Sequence, residues 1–178
     1  MSILKVARLG HPVLRKTADK VDIEKIASKE IQRFIDDMID TMREYDGVGL
    51  AAPQVHQSLQ ISVIESEKNP RYPGAPDMPL TILINPEITH MSEKTAEGWE
   101  SCLSVEDFRG KVSRSTALNV SAYDREGEEI TLEASGFLAI VLQHEIDHLN
   151  GIVYLDRMKD FKTLSHMNEF QKYWAEKE

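Results

Sequence analysis

Apolar positions in the stretch 29–45 recur at alternating steps of three and one: Ile31, Phe34, Ile35, Met38, Ile39 and Met42. That spacing lays one apolar stripe along an amphipathic helix, and Asp46-Gly47 supplies its stop. The pattern then changes to strand-like runs. Residues 60–65 and 80–89, rich in Ile, Val, Leu and Thr, read as strands. The stretch 69–79 between them is proline-rich with one glycine and reads as a loop, a lid or rim. Runs at 116–123 and 129–133 flank Asp124-Arg125-Glu126-Gly127, a hairpin pattern. A second helix is predicted over 136–149, with Gly151 placed to end it. Its opening turns carry Phe137, Leu138, Ile140, Val141 and Leu142, so this helix is expected to be buried. The tail 159–178 has helical composition with a few apolar anchors, and a third helix is expected there. This order of elements predicts an α+β fold: small, mostly antiparallel sheets packed around a central helix at 136–149, with a C-terminal helix.

Composition narrows the class. With 178 residues, 41% of them hydrophobic, the chain suffices for one domain, expected to span 1–178, and not for two. A net charge of −9 argues against general nucleic-acid binding, which needs basic surface, although it leaves room for a local basic patch. The opening MSILKVARLG lacks the apolar run of a signal peptide, and no stretch approaches the ~20 apolar residues of a membrane helix. The expectation is a soluble cytoplasmic protein without membrane contact. The single cysteine, Cys102, excludes an intramolecular disulfide and taken alone reads as a small buried hydrophobe.

His144-Glu145-Ile146-Asp147-His148 is an HExxH motif. Residues four apart on a helix share a face, so both imidazoles can reach one metal ion, with Glu145 beside it to take a proton from an activated water. A catalytic site needs a third protein ligand and one open position. In the extended pattern HExxHxxGxxH, Gly151 falls at the right spacing, but Tyr154 stands where a third histidine belongs. Glu169 lies at about the distance at which thermolysin-like enzymes place a glutamate, and Cys102 is the upstream alternative.

Three blocks in order resemble the peptide deformylase family. They are Gly47-Val48-Gly49-Leu50-Ala51-Ala52-Pro53-Gln54, Glu100-Ser101-Cys102-Leu103-Ser104 and Gln143-His144-Glu145-Ile146-Asp147-His148-Leu149. Leu83-Ile84-Asn85-Pro86 and the opening Leu9-Gly10-His11-Pro12-Val13-Leu14-Arg15 add to the likeness, which runs from about residue 3 to residue 158. Ser101 stands where the family most often has Gly, and Glu106 where it often has Pro. Neither departure removes a chemical group; both bear on pocket shape and peptide preference.

The resemblance implies removal of the formyl group from the N-terminal methionine of new polypeptides, with release of formate. It implies one Fe²⁺ per chain held by Cys102, His144 and His148, a donor set that also suits Zn²⁺, Ni²⁺ or Co²⁺. Glu145 would move the proton, while the Gln54 side chain and the Leu103 backbone N–H would stabilise the oxyanion. Gly47, Val48, Gly49 and Leu50 would bind peptide as an added strand. Val48, Leu50, Phe137, Ile140 and Val141 would accept the methionine side chain, and Arg109 would meet substrate carbonyls. Each has a plainer reading: Gln54 as a loop residue, the glycines as a turn, Arg109 as surface, the apolar residues as core. Glu100 and Arg114 are candidates for a supporting ion pair. The implied partners are formylmethionyl nascent peptides and, transiently, the ribosome, with the chain a monomer. The stretch 157–178 has near-balanced charge and gives no electrostatic argument for docking on RNA. Three rivals stay open: a zinc endopeptidase using Glu169, a protein that binds metal or formylated peptide without turnover, and a binding module with a structural metal.

Overall fold

The computed structural model describes residues 2–72 and 74–175. Helix α1, Lys29–Glu44, starts where the Ser28 hydroxyl accepts the Ile31 N–H, and it buries Ile35, Met38, Ile39 and Met42 along the stripe read from the sequence. It stops as Asp46 takes a left-handed conformation (φ 51°) and the Gly47 N–H bonds back to the Met42 carbonyl at 2.8 Å. Strands β1 (Gly49–Ala51), β2 (Ile61–Ser66) and β3 (Met78–Met91) follow. The hairpin β4 (Thr95–Cys102) and β5 (Val105–Ser115) precedes a second hairpin, β6 (Ala117–Tyr123) and β7 (Glu129–Ser135). Helix α2 is Gly136–Leu149, and the short α3 (Tyr154–Arg157), β8 (Ser165–His166) and α4 (Met167–Tyr173) complete the order.

Two antiparallel sheets result, one of five strands in the order β1-β2-β3-β6-β7 and one of three in the order β4-β5-β8. The α+β expectation holds. Because side chains alternate across a strand, the larger sheet feeds two cores. Ile61, Val63, Ile82 and Ile84 pack with α1 on one side, while Ile64, Leu83, Leu118 and Val120 pack with Ala139, Val141, Leu142 and Ile146 of α2 on the other. The 124–127 turn closes as expected, with Gly127 at φ 85° and Asp124 accepting the Glu126 and Glu128 N–H groups. Gly151 ends α2 at φ 72°, and a Cβ there would meet the Arg15 backbone at 2.8 Å.

The tail differs from the sequence reading. Instead of one helix over 159–178, residues 161–163 form a single 3₁₀ turn capped by Asp160, Ser165–His166 pair with β5, and the α-helix is confined to Met167–Tyr173. Pairing to an existing sheet edge outweighs weak helical preference there. Residues 176–178 of that expected helix lie outside the described residues. Strand β4, which ends at Cys102, and its partner β5 are not predicted by the pattern.

Candidate metal centre

Helix α2 and the turn closing the β4–β5 hairpin meet at the site. His144 and His148 project from one face of α2, their rings 5.0 Å apart. The register of β4 against β5 shifts between Ser101 and Cys102, and the turn presents the Cys102 Sγ 3.2 Å from the His148 Nε2. The ligand atoms of Cys102, His144 and His148 lie within 4.8 Å of one another. Glu169 does not join them: it is exposed on α4. Tyr154, at the position of the absent third histidine, is buried and stacks on the His144 ring at 6.3 Å.

Burial pushes the Cys102 thiol up, but the neighbouring His148 and His144 imidazoles outweigh it and hold the thiol well below its ordinary range. A soft thiolate with two imidazoles, convergent and water-poor, fits a first-row divalent ion. The orientation of His144 fits too. Its Nδ1–H donates to the Glu100 Oε2 at 2.8 Å, which leaves Nε2 facing inward.

Glu100 belongs to a buried network that the sequence only hinted at. Arg114 donates to both Glu100 oxygens, from Nε at 2.8 Å and Nη2 at 3.0 Å, and from Nη1 to Asp147 at 2.5 Å. Arg157 closes the chain on Asp147 at 2.6 Å. Burial pushes Glu100 up, yet the hydrogen bonds from His144 and Arg114 hold it down at about 2. Arg114→Ala would leave buried Glu100 with only His144 and Asp147 with only Arg157, an expected loss of about 3–5 kcal/mol of stability measured by denaturant titration. Metal affinity should fall roughly 10–100-fold as Glu100 is no longer held in place against His144.

Glu145 lies beside the donor set. Only 4% of it is exposed, its Oε2 has no hydrogen-bond partner, and burial pushes its carboxyl up to about 7 against the pull of both imidazoles. Gly49 makes room for it: a Cβ at that position would collide with the Glu145 carboxyl carbon at 2.7 Å. This is a reason for glycine at 49 apart from close approach of a peptide.

Gln54 follows β1 in a 3₁₀ turn and is 1% exposed. Its Oε1 accepts the Ala51 N–H at 2.8 Å, which turns its Nε2 toward the Cys102 Sγ and the Ser104 Oγ, both at 3.4 Å. A cavity opens from here, lined by Gly47, Val48, Gly49, Leu103, Phe137, Ile140 and Val141 together with Arg71, Tyr72 and Trp99. Leu50 brings only its backbone to β1, because its side chain is wholly buried in the core against α1. Arg109 lies back from the cavity, 8% exposed, and donates to the Arg71 carbonyl at 2.9 Å. Glu106 points away and pairs with Arg8 at the surface. The sequence reading missed Arg71, Tyr72 and Trp99; only the loop's proline content hinted at a rim there.

Fold and donor set together define a metal-dependent hydrolase. The sequence profile of the polypeptide deformylase family matches residues 3–164. A peptide deformylase from Leptospira biflexa is 41% identical over 167 residues, 93% of each chain, and peptide deformylase 1 of Bordetella pertussis is 44% identical over 161 residues, 90% of each. Among solved structures, the class I type b peptide deformylase of Acinetobacter baumannii with Met-Ala-Ser bound superposes with a TM-score of 0.86 at 41% identity, covering 89% of this chain and all of that one. The Synechococcus elongatus peptide deformylase in complex with actinonin gives 0.81 at 35% identity, covering 97% of this chain and 86% of the other. The chain belongs to the peptide deformylase family, the hydrolases that remove the formyl group from N-terminal methionine.

Proposed function

We propose that residues 1–178 act as one catalytic domain that deformylates nascent formylmethionyl peptides in the cytoplasm, with one Fe²⁺ held by Cys102, His144 and His148. The observation that carries this reading is the convergence of those three ligand atoms within 4.8 Å, next to a glutamate whose buried Oε2 has no partner. An ion in this site supplies Lewis-acid chemistry, acidifying water and polarising a carbonyl. Zn²⁺, Ni²⁺ and Co²⁺ suit the same donors.

The chain's own groups supply the rest. Glu145 takes the proton of the attacking water and returns it to the departing amine. The Gln54 amide and the Leu103 backbone N–H stabilise the oxyanion that develops on the formyl group. The methionine side chain fills the space between Val48, Phe137, Ile140 and Val141. Strand β1 lies at the edge of its sheet, so its outer side is free to pair with substrate backbone, with Gly47 and Gly49 allowing close approach. Arg109 acts through the loop it holds. The chain works as a monomer that touches the ribosome transiently. No helix among the described residues is long and apolar enough to cross a membrane.

The test is formate release from formyl-Met-Ala-Ser by anaerobic protein loaded with Fe²⁺ or Ni²⁺. Turnover is expected. No release from metal-replete protein would instead indicate a binder without turnover.

A further inference from the structure

Residues 69–72, in the segment that follows β2, are tied at both walls of the cavity, which Arg71 and Tyr72 line. On the β1 side, the Asn69 Nδ2 donates to the carbonyls of Asp46 at 3.0 Å and Gly47 at 3.3 Å. On the β4 side, the Arg71 Nη2 donates to the Ser101 Oγ at 3.1 Å, and the Tyr72 hydroxyl lies 2.8 Å from the same atom. Arg109 adds a third tie. It donates to the Arg71 carbonyl, and its guanidinium sits between the rings of Tyr72 at 4.9 Å and Phe170 at 4.8 Å. Tyr72 in turn leans on Phe137 at 5.5 Å. Arg71 and Tyr72 line the cavity together with Gly47, Val48 and Gly49, so a peptide paired with β1 would have Arg71 on the cavity wall.

Arg71 lacks a charge partner there. It is half-buried and lines the cavity, and its side chain is held by a neutral hydroxyl; among the described residues no carboxylate pairs with it. Glu100, the acid that lines the cavity near Ser101, is held by Arg114. A guanidinium offers five donors in a planar fork suited to a carboxylate, and most of that capacity is unused.

We propose that Arg71 is a specificity-determining residue that favours formylated peptides with acidic side chains in the two positions after the methionine, held over the cavity by Ser101 and Arg109. The proposal rests on the deformylase reading. Its test compares kcat/KM for formyl-Met-Glu-Glu and formyl-Met-Lys-Lys, with formyl-Met-Ala-Ser as the neutral reference. The acidic peptide is expected to be favoured about fivefold or more at low salt, the range of a partly buried ion pair, with the ratio shrinking as salt rises. Arg71→Gln should bring the ratio toward one, and Arg71→Glu should invert it. Calorimetric binding of the products Met-Glu-Glu and Met-Lys-Lys reads the same ratio without turnover, should a variant be slow. A wild-type ratio of one or below, or an Arg71→Glu ratio that stays above one, including after equal loss on both peptides, overturns the proposal. Failure of the wild type to release formate from formyl-Met-Ala-Ser would sink the deformylase reading instead.

Discussion

Cys102→Ala is expected to purify without its ion and to release formate no faster than background, while Glu169→Ala keeps both metal and activity. The sulfur is the only soft ligand in the cluster, and it comes from a different element than the two histidines. Without it, two imidazoles on one helix are left, a donor set short of the three protein ligands that catalytic sites use. Glu169 is exposed on α4 and cannot take over without rearrangement of the tail. Metal content per chain, measured anaerobically with a thermal melt on the same sample, separates metal loss from unfolding. A Cys102→Ala protein that retained a full equivalent of metal would revive the rival with a glutamate ligand.

Glu145→Gln should lower kcat by about 10²–10⁴ while the metal stays bound. Glutamine preserves the size of the side chain and removes its ability to accept a proton. The carboxylate is not among the clustered ligand atoms, so the ion should be retained. Gly49 leaves it a niche that also fits an amide, so little repacking is expected. Initial rates on formyl-Met-Ala-Ser and metal content of the same preparation check both halves. Near-normal rates would remove Glu145 from the proton transfer, and loss of metal would make it a ligand.

The elements legible in the sequence are those whose burial follows a local period. The apolar stripe on α1, the β6–β7 hairpin with its Asp124–Gly127 turn, and the apolar opening of α2 all have this character. Strands β4 and β5 were hidden because their inward positions include Glu100, Arg109 and Arg114. Buried charges look like surface in a sequence, and the partners that satisfy them lie on α2 and in the β2–β3 segment. The same reasoning applies to the site. HExxH is a local signal, because helical geometry fixes the spacing of its two histidines. For the third ligand two candidates stood open, Glu169 by its spacing and the lone cysteine Cys102 upstream, and the blocks shared with the family favoured Cys102. The prolines of 69–79 marked a loop, a lid or rim, but not its ties, since each is a contact between residues distant in the chain.

X-ray absorption at the metal edge of anaerobically prepared protein addresses the central claim most directly. One sulfur scatterer at about 2.3 Å with nitrogen or oxygen neighbours near 2.0–2.1 Å is the predicted first shell, with the sulfur signal gone in Cys102→Ala. A shell of nitrogen and oxygen alone in the wild-type protein would contradict it.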